Sequence, residues 1–286
     1  MISRTTTTHL YPPPLSIPPS LSPLCVYTSS SEVSLSISAS SIEGGSSRRV
    51  NCVCVSDMTK ITINYLPVRA LGEPLRMLCA MAEIEYTNYT FDDNLMNWGK
   101  KSQAEKSEWS PTEQMPTLVI ESDDGKTTLI TQSGACMRYL AQLAGGSMWP
   151  ADPLERAKVD IVFELAQEMF LIQPICNIWS GDMRAEKEKA FFDDAFARRL
   201  RFCERTLTDD FFAGSAPSYG DIQMFHYLDL ALLAKPTCLD DAPKTKAFVD
   251  KMKALPAIAT YLTERPQIGS QKIGKPGSYT WEAPRM

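Results

Sequence analysis

The stretch Thr112-Glu113-Gln114-Met115-Pro116-Thr117-Leu118-Val119-Ile120, continued by Leu129-Ile130-Thr131-Gln132-Ser133, is where residue types and order suggest chemistry. Pro116 has no amide donor and stands where a short, β-branched, apolar strand begins. It is either a plain strand-entry proline or a cis-proline. In the cis form the backbone amide and carbonyl of Met115 turn outward, ready to pair with an extended peptide. Other chemistries lack material. Only His9 and His226 are present, too few for a histidine triad or a multi-histidine metal site. The 8 cysteines show no C-x-x-C spacing, and most of the later ones fall in helical patterns. They read as reduced, buried thiols of an intracellular protein, not as a disulfide framework. A net charge of −5 gives no reason to expect nucleic acid, and no apolar run is long enough to cross a bilayer.

The elements that must position this stretch are legible from Met58 onward. Ile61 to Tyr65 reads as a strand. Glu73-Pro74 opens a helix through Ala82, with proline in the first turn and Leu75, Leu78, Cys79 and Ala82 on one apolar face. Tyr86 to Phe91 alternates as a second strand. Asn94 to Trp109 is polar and irregular, a short helix with loops. Pro116 to Ile120 and Thr127 to Ile130 form a hairpin about Asp123-Asp124-Gly125. Ser133 can cap a helix that Gly145-Gly146 stops. The order β-α-β-α-β-β-α is a layer of mixed sheet with helices. Trp149 to Pro153 is a linker, and all that follows is helical: Leu154 to Trp179, Arg184 to Thr208, Ser218 to Leu233, Lys244 to Leu255 and Ala257 to Glu264. Ser218 and Asp221 form a capping-box start, and His226 reads as structural.

The first 57 residues differ in kind, with 15 serines, six prolines between Pro12 and Pro23, and no lysine. Such a segment builds no packed domain. It is either an organelle transit peptide, with the plastid slightly favoured, or an extension upstream of a start at Met58.

From Lys60 to about Gln267 the chain resembles a cytosolic glutathione transferase, closest to the sigma class that includes glutathione-dependent prostaglandin D synthases. The resemblance rests on Tyr65, Gly72-Glu73-Pro74-Leu75-Arg76, Trp98, Gln114-Met115-Pro116, Gln132-Ser133 with Arg138-Tyr139-Leu140-Ala141, the Ser218/Asp221 box, and Leu255-Pro256-Ala257-Ile258 with Glu264-Arg265-Pro266-Gln267. No one of these is specific; their order and spacing are. The resemblance implies an α/β thioredoxin-like N-terminal domain (58–145) and an all-α C-terminal helical domain (146–268). These lie between the 1–57 extension and a tail of 269–286. It also implies a homodimer in the cytoplasm, or in a plastid or other organelle if the extension is a transit peptide.

What it implies for the site follows the parts of glutathione, the co-substrate. Tyr65 is the catalytic tyrosine, its hydroxyl donating to the thiolate sulfur beside the positive end of the first helix. Met115, held by cis-Pro116, pairs with the cysteinyl backbone. Gln132 and Ser133 take the γ-glutamyl group, and Gln114 contacts the same tripeptide. Trp98 and a lysine hold the glycyl carboxylate: spacing from Trp98 favours Lys101, and counting back from Pro116 favours Lys106. Glu168 lies where relatives reach the partner subunit's glutathione amine. A second-substrate pocket for a small hydrophobic electrophile falls near Val68, Met169, Phe170 and the C-terminal helix.

The sequence also departs from the pattern. Leu71 stands where many tyrosine-type relatives carry arginine, with Arg69 two positions upstream. Gln167 interrupts the acid run that binds a divalent ion in prostaglandin D synthases, so no metal is expected. The implied activity is conjugation of glutathione to small hydrophobic electrophiles. Alternatives are a glutathione-dependent isomerase or peroxidase, or a non-catalytic crystallin-like binding protein.

Overall fold

The computed structural model describes residues 59–65, 69–90, 98, 101–171 and 184–265. The serine-rich extension, Val68 and the tail from Gly269 lie outside the described residues.

Among the described residues, four strands form one mixed sheet in the order β2-β1-β3-β4, with β1 Lys60–Tyr65, β2 Thr87–Thr90, β3 Thr117–Glu121 and β4 Thr127–Thr131. β1 and β2 run parallel, joined by helix α1 (Glu73–Met81); β3 is antiparallel to both β1 and β4. The alternation that marks half-buried strands sends Ile61, Ile63, Leu118 and Ile120 into the core, where Ile63 faces Leu118 across the ladder. The second strand begins at Thr87, one residue later than the alternation of Tyr86 to Phe91 suggested, and Phe91 lies outside the described residues. Helix α2 (Gln103–Trp109) opens on a capping box of Ser102 and Glu105, and α3 (Ser133–Ala144) follows β4.

The second half is helical: α4 Pro153–Gln167, α5 Arg184–Ala190, α6 Ala197–Thr206, α7 Tyr219–Ala234, α8 Pro243–Ala254 and α9 Pro256–Glu264. Asp152 caps α4 by accepting from the amides of Leu154 and Glu155. The long helix expected over Leu154 to Trp179 ends as α-helix at Gln167 and tightens into a 3-10 turn over Glu168–Leu171; 172–180 lie outside the described residues. The helix expected over Arg184 to Thr208 is divided by a π-helical segment, Phe191–Phe196. Here Phe191, Phe192 and Phe196 pack on one another with centroids 5.0–5.7 Å apart.

Helix α7 is the centre of this half and is apolar nearly all round, which only a fully enclosed helix tolerates. Gly220 lets it lie against α4, since a Cβ there would stand 2.6 Å from the Val159 carbonyl oxygen. Its capping box is present: the Asp221 amide donates to Ser218 Oγ and the Ser218 amide donates to Asp221, whose other oxygen accepts from the Phe212 amide. α1 packs against α3, α7 and α9, so Arg76 and Met77 are buried along with Leu75, Leu78 and Cys79 of the apolar face expected of it.

Candidate functional site

The ladder register brings the sequence motifs together. Asn64 pairs with Thr117 and Thr117 with Thr131. Continued by one residue, the same register sets Tyr65, Pro116 and Gln132 in a row across three neighbouring strands, at one end of the sheet. Residues 16 to 67 apart in sequence therefore meet at one rim.

Tyr65 ends β1 and is buried, with 5% exposure. Its hydroxyl oxygen accepts from the Leu71 amide at 3.0 Å, and among the described residues its own proton has no acceptor. Burial pushes the phenol up to about 12, against smaller lowering effects of that amide and Arg76, so it remains a protonated donor at neutral pH. The contact requires a close approach. A Cβ on Gly72, the residue before α1, would stand 2.4 Å from Tyr65 Cδ1. The Arg76 guanidinium lies 5.8 Å from the Tyr65 centroid, a charge to which the sequence motif containing Arg76 gave no role. Arg69 turns instead into a buried cluster, 4.0 Å from Glu73. There Glu73 also meets Arg76 at 3.5 Å and Arg265 at 2.8 Å.

The Met115-Pro116 bond is cis. Among the described residues the Met115 amide and carbonyl make no hydrogen bond within the chain. The turn before it is held by buried Ser110, whose hydroxyl donates to the Gln114 carbonyl at 2.5 Å and accepts from the Gln114 amide at 3.2 Å. The Ser110 amide donates to the Lys106 carbonyl, which ties the end of α2 to this turn. Ser110 carries no motif and was not read from the sequence.

Gln132 has φ 70°, in the region that favours glycine, and is the cap position of α3. Ser133 is the first helical residue and not the cap, and no side chain caps this helix. That corrects the capping role expected of Ser133 and leaves its hydroxyl for other partners. The exposed Gln132 Nε2 donates to Gln114 Oε1 at 2.8 Å, joining two expected ligand contacts. Gln167 Nε2 donates to Ser133 Oγ at 3.3 Å, and Gln167 Oε1 accepts from Gln223 Nε2 at 2.7 Å and from the Tyr227 hydroxyl at 3.3 Å. Tyr227 is fully buried; burial first and the nearness of Tyr65 second hold its phenol well above the ordinary range.

Trp98 is half-buried, and the Lys101 amide donates to its carbonyl at 3.2 Å. Lys101 and Lys106 are both half-buried, the latter on α2, and the geometry does not choose between them. Glu168 stands in the 3-10 turn after α4, exposed and ion-paired to Arg199 of its own chain. Glu164 is likewise engaged by Arg138. Of the residues expected around a second substrate, Met169 is fully buried core and Phe170 is exposed.

Comparison with known proteins bears on the fold. Residues 171–265 match the family described as "Glutathione S-transferase, C-terminal domain". The Oryctolagus cuniculus protein named glutathione S-transferase Mu 1 is 29% identical over 212 residues, 71% of this chain and 90% of its own length. Several of the curated relatives bear Mu-class names, which departs from the sigma expectation. The structure of NaGST-2 superposes with a TM-score of 0.63 at 24% identity, over 73% of this chain and 98% of that one. The prostaglandin synthase D of Nilaparvata lugens gives 0.60 at 22%, over 73% and 99%. The chain thus has the glutathione S-transferase fold, a mixed four-stranded sheet with helices followed by an all-helical half. Over the C-terminal helices, along most of the chain and in its fold, this chain is similar to glutathione S-transferases.

Proposed function

We propose that this protein is a glutathione transferase in which the Tyr65 hydroxyl stabilises the glutathione thiolate for attack on small hydrophobic electrophiles. One observation carries the reading: a buried, protonated Tyr65 whose oxygen is held by the Leu71 amide and whose proton has no acceptor among the described residues. A free thiol has a pKa of about 8.5, and each unit by which a site lowers it takes about 1.4 kcal/mol of preferential thiolate binding. A neutral phenol donating to sulfur supplies part of this, and the start of α1 and the Arg76 charge add to it. The thiol proton leaves to solvent, the sulfur bonds to the electrophilic carbon, and the leaving group departs with the bonding pair.

In this reading Met115 offers its unpaired backbone to the cysteinyl unit, and Gln114, Gln132 and Ser133 hold the γ-glutamyl end. Trp98 with Lys101 or Lys106 holds the glycyl carboxylate. Domains of 58–145 and 146–268 divide the work. Sigma-like class membership rests on the motif order around Tyr65, against the Mu names of the curated relatives. A homodimer is supported by Leu154 and Ile161, two turns apart on one face of α4 and exposed in the single chain at 73% and 54%. In it Glu168 would reach a partner's glutathione amine only by sharing its carboxylate with Arg199.

Tyr65→Phe tests the reading. Conjugation to a small electrophile panel should fall by at least ten-fold, the apparent pKa of bound glutathione should rise, and glutathione affinity should hold. Unaltered turnover would remove Tyr65 from the mechanism.

A further inference from the structure

We propose that Gln167 is a positioning residue for the peptide site, setting through Ser133 the direction in which the serine proton points. The proposal rests on the glutathione reading above. An amide side chain has one accepting and one donating end. The accepting end of Gln167 is filled by two buried donors of α7, Gln223 Nε2 at 2.7 Å and the Tyr227 hydroxyl at 3.3 Å. Gln223 and Tyr227 are one helical turn apart and almost wholly enclosed, with 2% and 0% exposure, so water does not compete for them. The NH2 end therefore faces Ser133 Oγ, at 3.3 Å.

A hydroxyl that accepts in this way keeps its own proton to give. A carboxylate can only accept. The chain of bonds thus runs one way, from α7 through Gln167 and Ser133 to an incoming carboxylate at the first turn of α3, where amide ends also favour negative charge. An acid at position 167 would break this order. Having only acceptors when ionised, it would draw the Ser133 proton back and add a like charge.

A double-mutant cycle read by calorimetric titration of the full chain with glutathione tests this. Ser133→Ala should weaken binding by about ten-fold or more, the loss of a hydrogen bond to a charged group. Gln167→Met should weaken it several-fold in the native background and not at all in the Ser133→Ala background, because its effect passes through that hydroxyl. Turnover at saturating glutathione should hold while KM rises. Should Gln167→Met fail to fold, Tyr227→Phe removes one far donor and should give a two- to three-fold weakening, again absent without Ser133. Equal losses in both backgrounds, or no loss in the native one, would overturn the inference while glutathione still binds the unaltered protein. No binding by the unaltered protein would overturn the proposed function and this inference together.

Discussion

Glu73→Gln is the most informative perturbation of the fold beneath the site. The Glu73 carboxyl is enclosed, with 1% exposure, among Arg265 at 2.8 Å, Arg76 at 3.5 Å and Arg69 at 4.0 Å. Burial alone would push it up; Arg76, then Arg265 and Arg69, hold it below the usual carboxylate range. Glutamine keeps the shape and removes the charge, leaving three guanidinium groups around a neutral side chain, with Asp229 3.3 Å from Arg265. Removing one partner of a buried pair costs about 3–5 kcal/mol. Against a total stability of about 5–15 kcal/mol this is a large fraction. The distances also set an order among the partners. Arg265→Met should cost most, since Arg265 also donates to Asp229 at 3.3 Å; Arg69→Met should cost least, because 4.0 Å is too far for a hydrogen bond. Since the folded pKa is depressed, the contribution is present above the unfolded value of about 4.3 and lost as pH falls through the folded one. Urea titration followed by circular dichroism measures each variant. A loss below about 1 kcal/mol for Glu73→Gln, well under the range for a buried pair, or the reverse order for the arginines, would refute the account.

Three further outcomes are expected. Gly72→Ala should lower the urea midpoint, by about 1–3 kcal/mol of stability, and reduce turnover, because its Cβ meets the Tyr65 ring at 2.4 Å; unchanged turnover would show the ring free to shift. Burial pushes His226 down to about 4, against the raising effects of Glu73 and Asp229 and with Arg265 and Arg69 also lowering it. Stability from a neutral His226 is therefore full above about 6.5 and drains by up to about 1.4 kcal/mol per unit as pH falls toward 4, a slope that His226→Gln should flatten in urea midpoints. Burial holds the Cys79, Cys136 and Cys203 thiols up to about 12, so peptide mapping after a thiol reagent should find them unlabelled in native protein and labelled in urea.

How far the sequence could be read depended on how local each cause was. The start of α7 was legible because Ser218 and Asp221 satisfy each other within one turn. The hairpin about Asp123-Asp124-Gly125 and the helix with Pro74 in its first turn were legible from equally local signals, and the helices read from Lys244 and Ala257 begin one residue earlier, at Pro243 and Pro256. Tyr65, Met115, Pro116, Gln132 and Ser133 were reached by resemblance and fall along one rim because strand register carries them there. The end of α4 at Gln167 was not legible, since the apolar period runs on past it. Nor was the π-helical segment, because its Phe-Phe sequence suits an ordinary helix equally well. Long-range polar partners were out of reach altogether: Arg265 and Glu73 lie 192 residues apart, and Gln167 gathers Ser133, Gln223 and Tyr227 from three elements.

These two groups of long-range contacts divide the support of the site between them. Arg265, just beyond α9, closes on Glu73 at the start of α1, immediately after the Leu71 amide and Gly72 that seat Tyr65. This side is held by charge. Gln223 and Tyr227 of α7 hold Gln167 and thereby Ser133, at the start of α3. That side is held by neutral amides and hydroxyls. The helical half therefore fixes the sheet half at two separate helix starts, one beside the proposed thiol and one beside the proposed γ-glutamyl carboxylate. Both supports pass by α7, since Asp229, which Arg265 also contacts, lies on it with Gln223 and Tyr227. Enclosure of that helix leaves its polar side chains dry, where a missing partner is costly and an existing one is rigid. Changes at the Arg265 end should then move thiol acidity and acid stability, and changes at the Gln167 end should move glutathione affinity, with little exchange between the two.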